Sequence, residues 1–367
     1  MTIVRKYQKG MQQSALLGMT NILLFLVVSF SSSVLFAANS SDVVARLQKM
    51  PEPQRQSVLE EEAKKEGAFS FYGTMSADHS SRLLSAFRAR YPFLKINHYR
   101  SGSTALLSKI LTETRAGRYD FDAVDQDPGS IHEMARLKLI EKYFSPNRRF
   151  VREEMMDKEG FWTAGYHVIV VTAYNTKLVR KDDVPKSYDD LLNPRWKGKM
   201  VLDTQDADWF HTVLDYLGEE KGLNFMKRLA QLAPEMRTGH TLESQLLAAG
   251  EYSMSPILYG YRVAQMMTEG APVDLTMIDP VITKPRLSAL ARQAPHPHAA
   301  ILFLDWILGQ EAQTIIAQEF GRGPVRKGVK SKYARLDHPK YLVVPADTLA
   351  PMYKKRLEQY QQIFGFR

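Results

Sequence analysis

From Ala68 onward, short β-forming runs alternate with longer segments whose apolar residues recur every three or four positions. "AFSFYG" (Ala68 to Gly73) predicts a strand ending on glycine. "SADHSSRLLSAFRARYP" then sets Leu83, Leu84, Phe87 and Tyr91 at helical spacing. The alternation repeats twice: "FLKINHYRSGS" precedes "TALLSKILTETRAGR", and "FDAVDQD" precedes "SIHEMARLKLIE". Upstream, Asp42 to Gly67 is charged and helix-prone, closes "EEEAKKEG" on glycine, and predicts a helical lead-in over 39–66. Strand, helix, strand, helix in this order predicts an α/β fold with parallel units.

A second α/β stretch starts near Tyr166. "YHVIVVTAYNT" is a continuous β-branched run, as in a strand buried on both faces. "DDLLNPRWKGKMVLDTQD" predicts a loop and a strand with an acidic end at Asp203, and "EYSMSPILYGYRVAQMM" closes the region. "VDLTMIDP" (Val273 to Pro280) predicts another extended segment, and "PHAAILFLDWILGQEAQTIIAQ" and "LAPMYKKRLEQYQQIFG" predict helices.

In open α/β sheets, ligands sit beyond the carboxyl ends of the strands. That rule selects the loops Gly73 to Ser76, Ser101 to Thr104 and Asp125 to Gly129, and with them Thr74, Met75, Ser101, Ser103, Thr104 and Gln126. Hydroxyls and backbone N–H groups just before helix starts suit an anion or polar group. Alternatively, Ser103 and Asp78 only cap their helices. Asp203 and its neighbours Asp206 and Asp208 could take a cation or amine, or lie solvated in a loop. Trp209 lines a cleft or packs in a core. In "ILYGY", Tyr259 and Tyr261 share a face on a strand but stand ~200° apart on a helix, so both reach one ligand only if Gly260 keeps the segment extended or turned.

The 367 residues, 44% hydrophobic and 24% charged, suffice for two lobes. The first 38 read as a secretory signal: Arg5, Lys6 and Lys9 precede the apolar "ILLFLVVSF", and "VLFAANS" offers cleavage after Ala37 or Ala38. The apolar run falls short of the ~20 residues of a spanning helix. No cysteine is present, which excludes a disulfide framework and a lipid-acylated N-terminus and predicts a free periplasmic protein. Net charge is +9, and removal of the three early cations leaves +6. The basic residues are spread out, so nucleic acid is not an expected partner. There is no G-x-S-x-G, H-E-x-x-H or P-loop, and no enzyme is expected.

Four ordered pieces, "AKKEGAFSFYGTMSADHSSRLLSAFRARYP", "YDDLLNPRWKGKMVLDTQD", "EGAPVDLTMIDP" and "APHPHAAILFLDWILGQEAQ" with "GRGPVRKGV", resemble the solute-binding proteins of bacterial ABC importers, in the group of the ferric-ion-binding periplasmic proteins. The resemblance implies a two-lobed periplasmic-binding-protein fold of type 2, with ligand in the interlobe cleft. Lobe 1 would be 67–164 plus 274–367, lobe 2 would be 165–273, and "EGAPVDLTMIDP" would form the return crossing. A monomer would capture a small organic or inorganic anion, ferric iron or a ferric chelate, and deliver it to an inner-membrane permease; a ligand-presenting sensor subunit is the alternative. No cofactor is implied, and Fe(III) would enter only as cargo, held by Tyr259 and Tyr261. The chain departs from the ferric pattern at Gly73-Thr74-Met75-Ser76, where those relatives often carry His or an acid.

Overall fold

The computed structural model describes residues 39–337 and 340–366, so the export signal read over 1–38 lies outside the described residues. Helix α1 (Ser40–Leu47) is capped by the Asn39 side chain, and α2 (Glu52–Glu66) stops at Gly67, whose φ of 66° is left-handed. Their apolar stripe, with Leu47, Leu59 and Ala63, enters the first core.

The three predicted β/α units follow: β1 (Ala68–Gly73), α3 (Ala77–Arg90), β2 (Lys95–Arg100), α4 (Ser103–Arg115), β3 (Ala123–Gln126) and α5 (Pro128–Arg136). β1 pairs in parallel with β2 and β3. After β4 (Ile140–Glu141) comes β5 (Thr163–Asn175), buried along its whole length, which explains its unbroken apolar run. The next stretch contributes β6 (Val201–Asp203), α6 (Ala207–Leu217), α7 (Glu219–Ala230), β7 (Glu235–Arg237), α8 (His240–Ala249), β8 (Met254–Tyr259), α9 (Gly260–Thr268) and β9 (Val273–Thr276). Then come β10 (Ile282–Ala291), α10 (Pro297–Ile307), α11 (Gln310–Thr314) with a π-helical continuation over Ile315–Glu319, β11 (Leu342–Val343) and α12 (Ala346–Phe364).

The main sheet runs β2-β1-β3-β10-β5-β8, with β9 on β5, β4 and β11 on β10, and β6-β7 apart. β5 and β10 are antiparallel, with Lys284 opposite Val168 and Arg286 opposite Tyr166. Directly opposed residues share a face, so Lys284 and Arg286 point one way, and Thr283, Pro285, His167 and Ile169 the other. β5 leaves a core holding Ala164, Tyr166 and Val168 and enters two others, one around Trp209, Phe210 and Met226, the other around Val171, Leu258 and Leu275.

Two expectations are corrected. The return crossing is β10, residues 282–291, because "VDLTMIDP" supplies β9, which pairs with β5 beside the later cores. The C-terminal stretch does not pack with the first core alone. Leu336 joins the third core, and Val344, Leu349 and Tyr360 join the second, because α12 lays its apolar stripe along α6 and α7 as well as α5.

Candidate functional site

A small cavity of about 40 Å³ opens among the first core's loops, the crossing β10 and the start of α6. Ser103, Asp127, Asp203, Lys284, Arg286 and Tyr353 are among its walls. Its polar groups divide into two sets.

The first set is neutralised internally. The Lys284 ammonium, only 2% exposed, is held by Asp206 and by Asp208 at 2.7 Å. Burial works against its charge, but these two carboxylates raise its pKa above the usual lysine value. His240 lies between Asp206 at 3.2 Å and Glu243 at 3.0 Å. Burial opposes the Asp206 charge as well, and His240 and Lys284 hold that carboxyl below its ordinary range. Burial pushes Glu243 up to about 7. Removing one partner of such a buried set typically costs ~3–5 kcal/mol. The amine that the acidic cluster could take is therefore the chain's own.

The second set, on and behind the cavity wall, has no close ion pair, although Asp125 and Asp127 act on Arg286 from farther off. Arg286 Nη2 donates to the Tyr259 hydroxyl at 2.9 Å. Arg322, 4% exposed, donates through Nη2 to the Tyr261 hydroxyl at 2.9 Å and through Nε to His79 Nδ1 at 3.2 Å. Its guanidinium lies over the Tyr261 ring at 4.3 Å and the Tyr166 ring at 4.9 Å. Among the described residues neither guanidinium has a carboxylate oxygen within 4.0 Å. Asp125 acts on both from farther off. Its Oδ2 is occupied by Thr74 N at 3.2 Å and Thr74 Oγ1 at 3.0 Å, and its Oδ1 has no partner.

The predicted residues separate accordingly. Tyr259 ends β8 and Gly260 begins α9, so the strand–helix junction brings both tyrosines to one side, rings 6.1 Å apart. A Cβ on Gly260 would lie 2.8 Å from Leu336 and 3.0 Å from Val171, so this junction needs glycine for close approach. Ser103 and Thr104 line the cavity. The N-cap of α4 is Gly102, so Ser103 occupies the first helical position and does not cap. Gln126 is buried and donates to Ser103 O at 3.1 Å, which fixes that helix start. Asp203 lines the cavity with its carboxylate tied to Gln205 N and Gly239 N, both at 2.9 Å. Thr74 positions Asp125, and the Ser101 amide ties its loop to Gly73 O at 3.3 Å.

Met75 and Trp209 are not brought to the cavity. Met75 is buried in the first core and Trp209 in the second. Around a helix, one step of ~100° separates Asp208 on the cavity wall from Trp209 in the core. Sequence reasoning missed Lys284, Arg286, His240, Arg322 and Tyr353. Of these, Arg322 stood in the quoted "GRGPVRKGV" and Tyr353 in the quoted helix "LAPMYKKRLEQYQQIFG".

Residues 126–345 match the family of bacterial extracellular solute-binding proteins. A Haemophilus influenzae protein of uncharacterised role is 28% identical over 247 residues, which is 63% of this chain and 69% of that protein. Iron uptake protein A1 of Synechocystis is 21% identical over 196 residues, 49% of this chain and 54% of its own length. Iron-bound HitA from Pseudomonas aeruginosa superposes with a TM-score of 0.71 at 20% identity, covering 81% of this chain and 99% of HitA. AfuA from Actinobacillus pleuropneumoniae, with fructose-6-phosphate bound, gives 0.72 at 20% identity, covering 82% and 99%. At such identities the structural likeness speaks for fold, that of type 2 periplasmic binding proteins. Because the family match spans more than half of its length, the chain belongs to the bacterial extracellular solute-binding proteins.

Proposed function

We propose that the protein is the periplasmic substrate-binding component of an ABC importer and that its cargo is a small anion. One observation carries the choice of ligand: Arg286 lines the cavity without a carboxylate ion pair, while Lys284 close by has two. Asp125 and Asp127 reach Arg286 only from beyond ion-pair distance, and a buried charge gains from a close counter-ion, which an anionic ligand supplies. The start of α4, with Ser103 and Thr104, adds N–H and hydroxyl donors.

In this reading residues 67–164 and 287–325 form one lobe, 165–281 the other, and α12 runs along both. Ligand touching both lobes stabilises the closed form, which a membrane permease then engages. The role is capture and release rather than catalysis.

The test is calorimetric titration of the purified protein with inorganic phosphate, citrate and fructose-6-phosphate, repeated on Arg286→Met. At least one anion binds the native protein, and the variant loses about tenfold in affinity or more, ~1.4 kcal/mol per decade. Equal binding by both proteins would sink the anion reading.

A second reading is ferric iron as cargo. It is supported by Asp203, His240 and Glu243, whose donor atoms lie within 4.8 Å of one another, and by the His240 ring 4.0 Å from that of Tyr259. The buried Lys284 and Arg286 beside them work against a bare trivalent cation. Stoichiometric iron with a visible tyrosinate band in freshly isolated protein would favour this reading over the first.

A further inference from the structure

The C-terminal helix α12 starts just beyond the residues that match the family, and it reaches both sides of the cleft. Toward the first core, its Tyr353 ring seats on Gly129 of α5, where a Cβ would stand 2.5 Å from the ring. Toward the second, Arg356 is buried and donates to both oxygens of Glu219 at 2.7 and 2.6 Å and to His211 Nδ1 at 3.2 Å. One turn further, the Tyr360 hydroxyl donates to the Asp203 carbonyl at 2.7 Å.

Tyr353 is the side chain that this helix sends into the cavity wall, between Asp127 and Asp208 on one hand and Lys284 and Arg286 on the other. Its hydroxyl has no hydrogen-bond partner among the described residues. The hydroxyls of Tyr259, Tyr261, Tyr166 and Tyr360 all have one. Tyr353 is half-buried and lines the cavity, so its hydroxyl can meet whatever occupies that space.

We propose that Tyr353 is a ligand-contacting and specificity-determining residue, through which α12 forms a third wall of the binding site. The phenol accepts from, or donates to, an oxygen of the bound anion while Arg286 meets its charge. The favoured ligand class is thus an oxyanion carrying a hydroxyl or protonated oxygen, as in hydrogen phosphate, a hydroxycarboxylate or a sugar phosphate. This rests on the anion reading above.

The test is Tyr353→Phe, which keeps the ring on Gly129 and deletes only the hydroxyl. Full-length native protein, Tyr353→Phe and Arg286→Met are titrated with inorganic phosphate, citrate and fructose-6-phosphate, and unfolding midpoints are recorded without ligand. The expected result is about a tenfold loss of affinity in Tyr353→Phe for the tightest probe, with its ligand-free midpoint unchanged, as for loss of one hydrogen bond to a charged group. Equal affinity in Tyr353→Phe, with binding lost in Arg286→Met, overturns the role of Tyr353 and leaves the anion reading standing. A lowered midpoint with unchanged affinity likewise assigns the hydroxyl to structure alone. If no probe binds the native protein, both readings fail together.

Discussion

His79 sits on α3 with its ring stacked on Phe320 at 4.2 Å and its Nδ1 facing Arg322. Burial, and then the Arg322 charge, push its pKa down to about 4 from the usual 6.5. Between those values the folded chain binds fewer protons at this site than the unfolded chain does. Stability therefore falls as pH drops from about 6.5 to 4, and the loss is complete below that. His167, pushed down to about 3 by burial and Arg152, adds a loss of the same sign. Urea unfolding of His79→Gln across this range should give a shallower decline, with the His167 contribution remaining. A slope equal to that of the native protein would mean that neither burial nor Arg322 opposes protonation of His79. The same guanidinium thus keeps a histidine neutral and stays without a carboxylate, and a bound anion would relieve both conditions.

Each helix and strand around the cleft is placed by a few residues, and these differ in how plainly the sequence announces them. β1 to β3 and their loops were legible because apolar strands ending in Gly, Ser or Asp alternate with regular helical stripes. The position of Tyr259 and Tyr261 was legible from the glycine between them. β10 was not, because "ITKPR" puts a proline and two cations inside a strand. Those cations point to the cleft, and Pro285 is accommodated on the opposite face. The purpose of Arg322 depends on Tyr261 and His79, which only the folded chain brings to it. Likewise, Gly129 reads as an ordinary helix-start glycine until Tyr353 is seen lying on it. Gly129→Ala should force the Tyr353 ring away, since the new methyl would lie 2.5 Å from it. The expected cost is about 1–3 kcal/mol, as for overpacking elsewhere, read as a lower urea midpoint and faster amide exchange in the first half of α12. Unchanged exchange there would show that the α5–α12 contact is not what holds the helix.

Among the described residues, β5, β10 and α12 run between the first core and the later ones, and of these α12 is secured by side chains rather than by a sheet. Its anchorage to the second core depends on Arg356, because Glu219 is half exposed and its ion pair is correspondingly screened by solvent, whereas Arg356 is buried against His211. Arg356→Ala should therefore release α12 from α6 and α7 more effectively than Glu219→Gln. With that restraint gone the ligand-free protein opens further, and the fraction already closed becomes smaller. Apparent affinity scales with the competent fraction, so phosphate should bind more weakly to Arg356→Ala although no ligand contact was removed. Small-angle scattering should at the same time record a larger compaction on ligand addition than in the native protein. Weaker binding without a larger compaction would place the effect in the site and not in closure. A larger compaction with unaltered affinity would mean that α12 limits opening but does not tune the closed population.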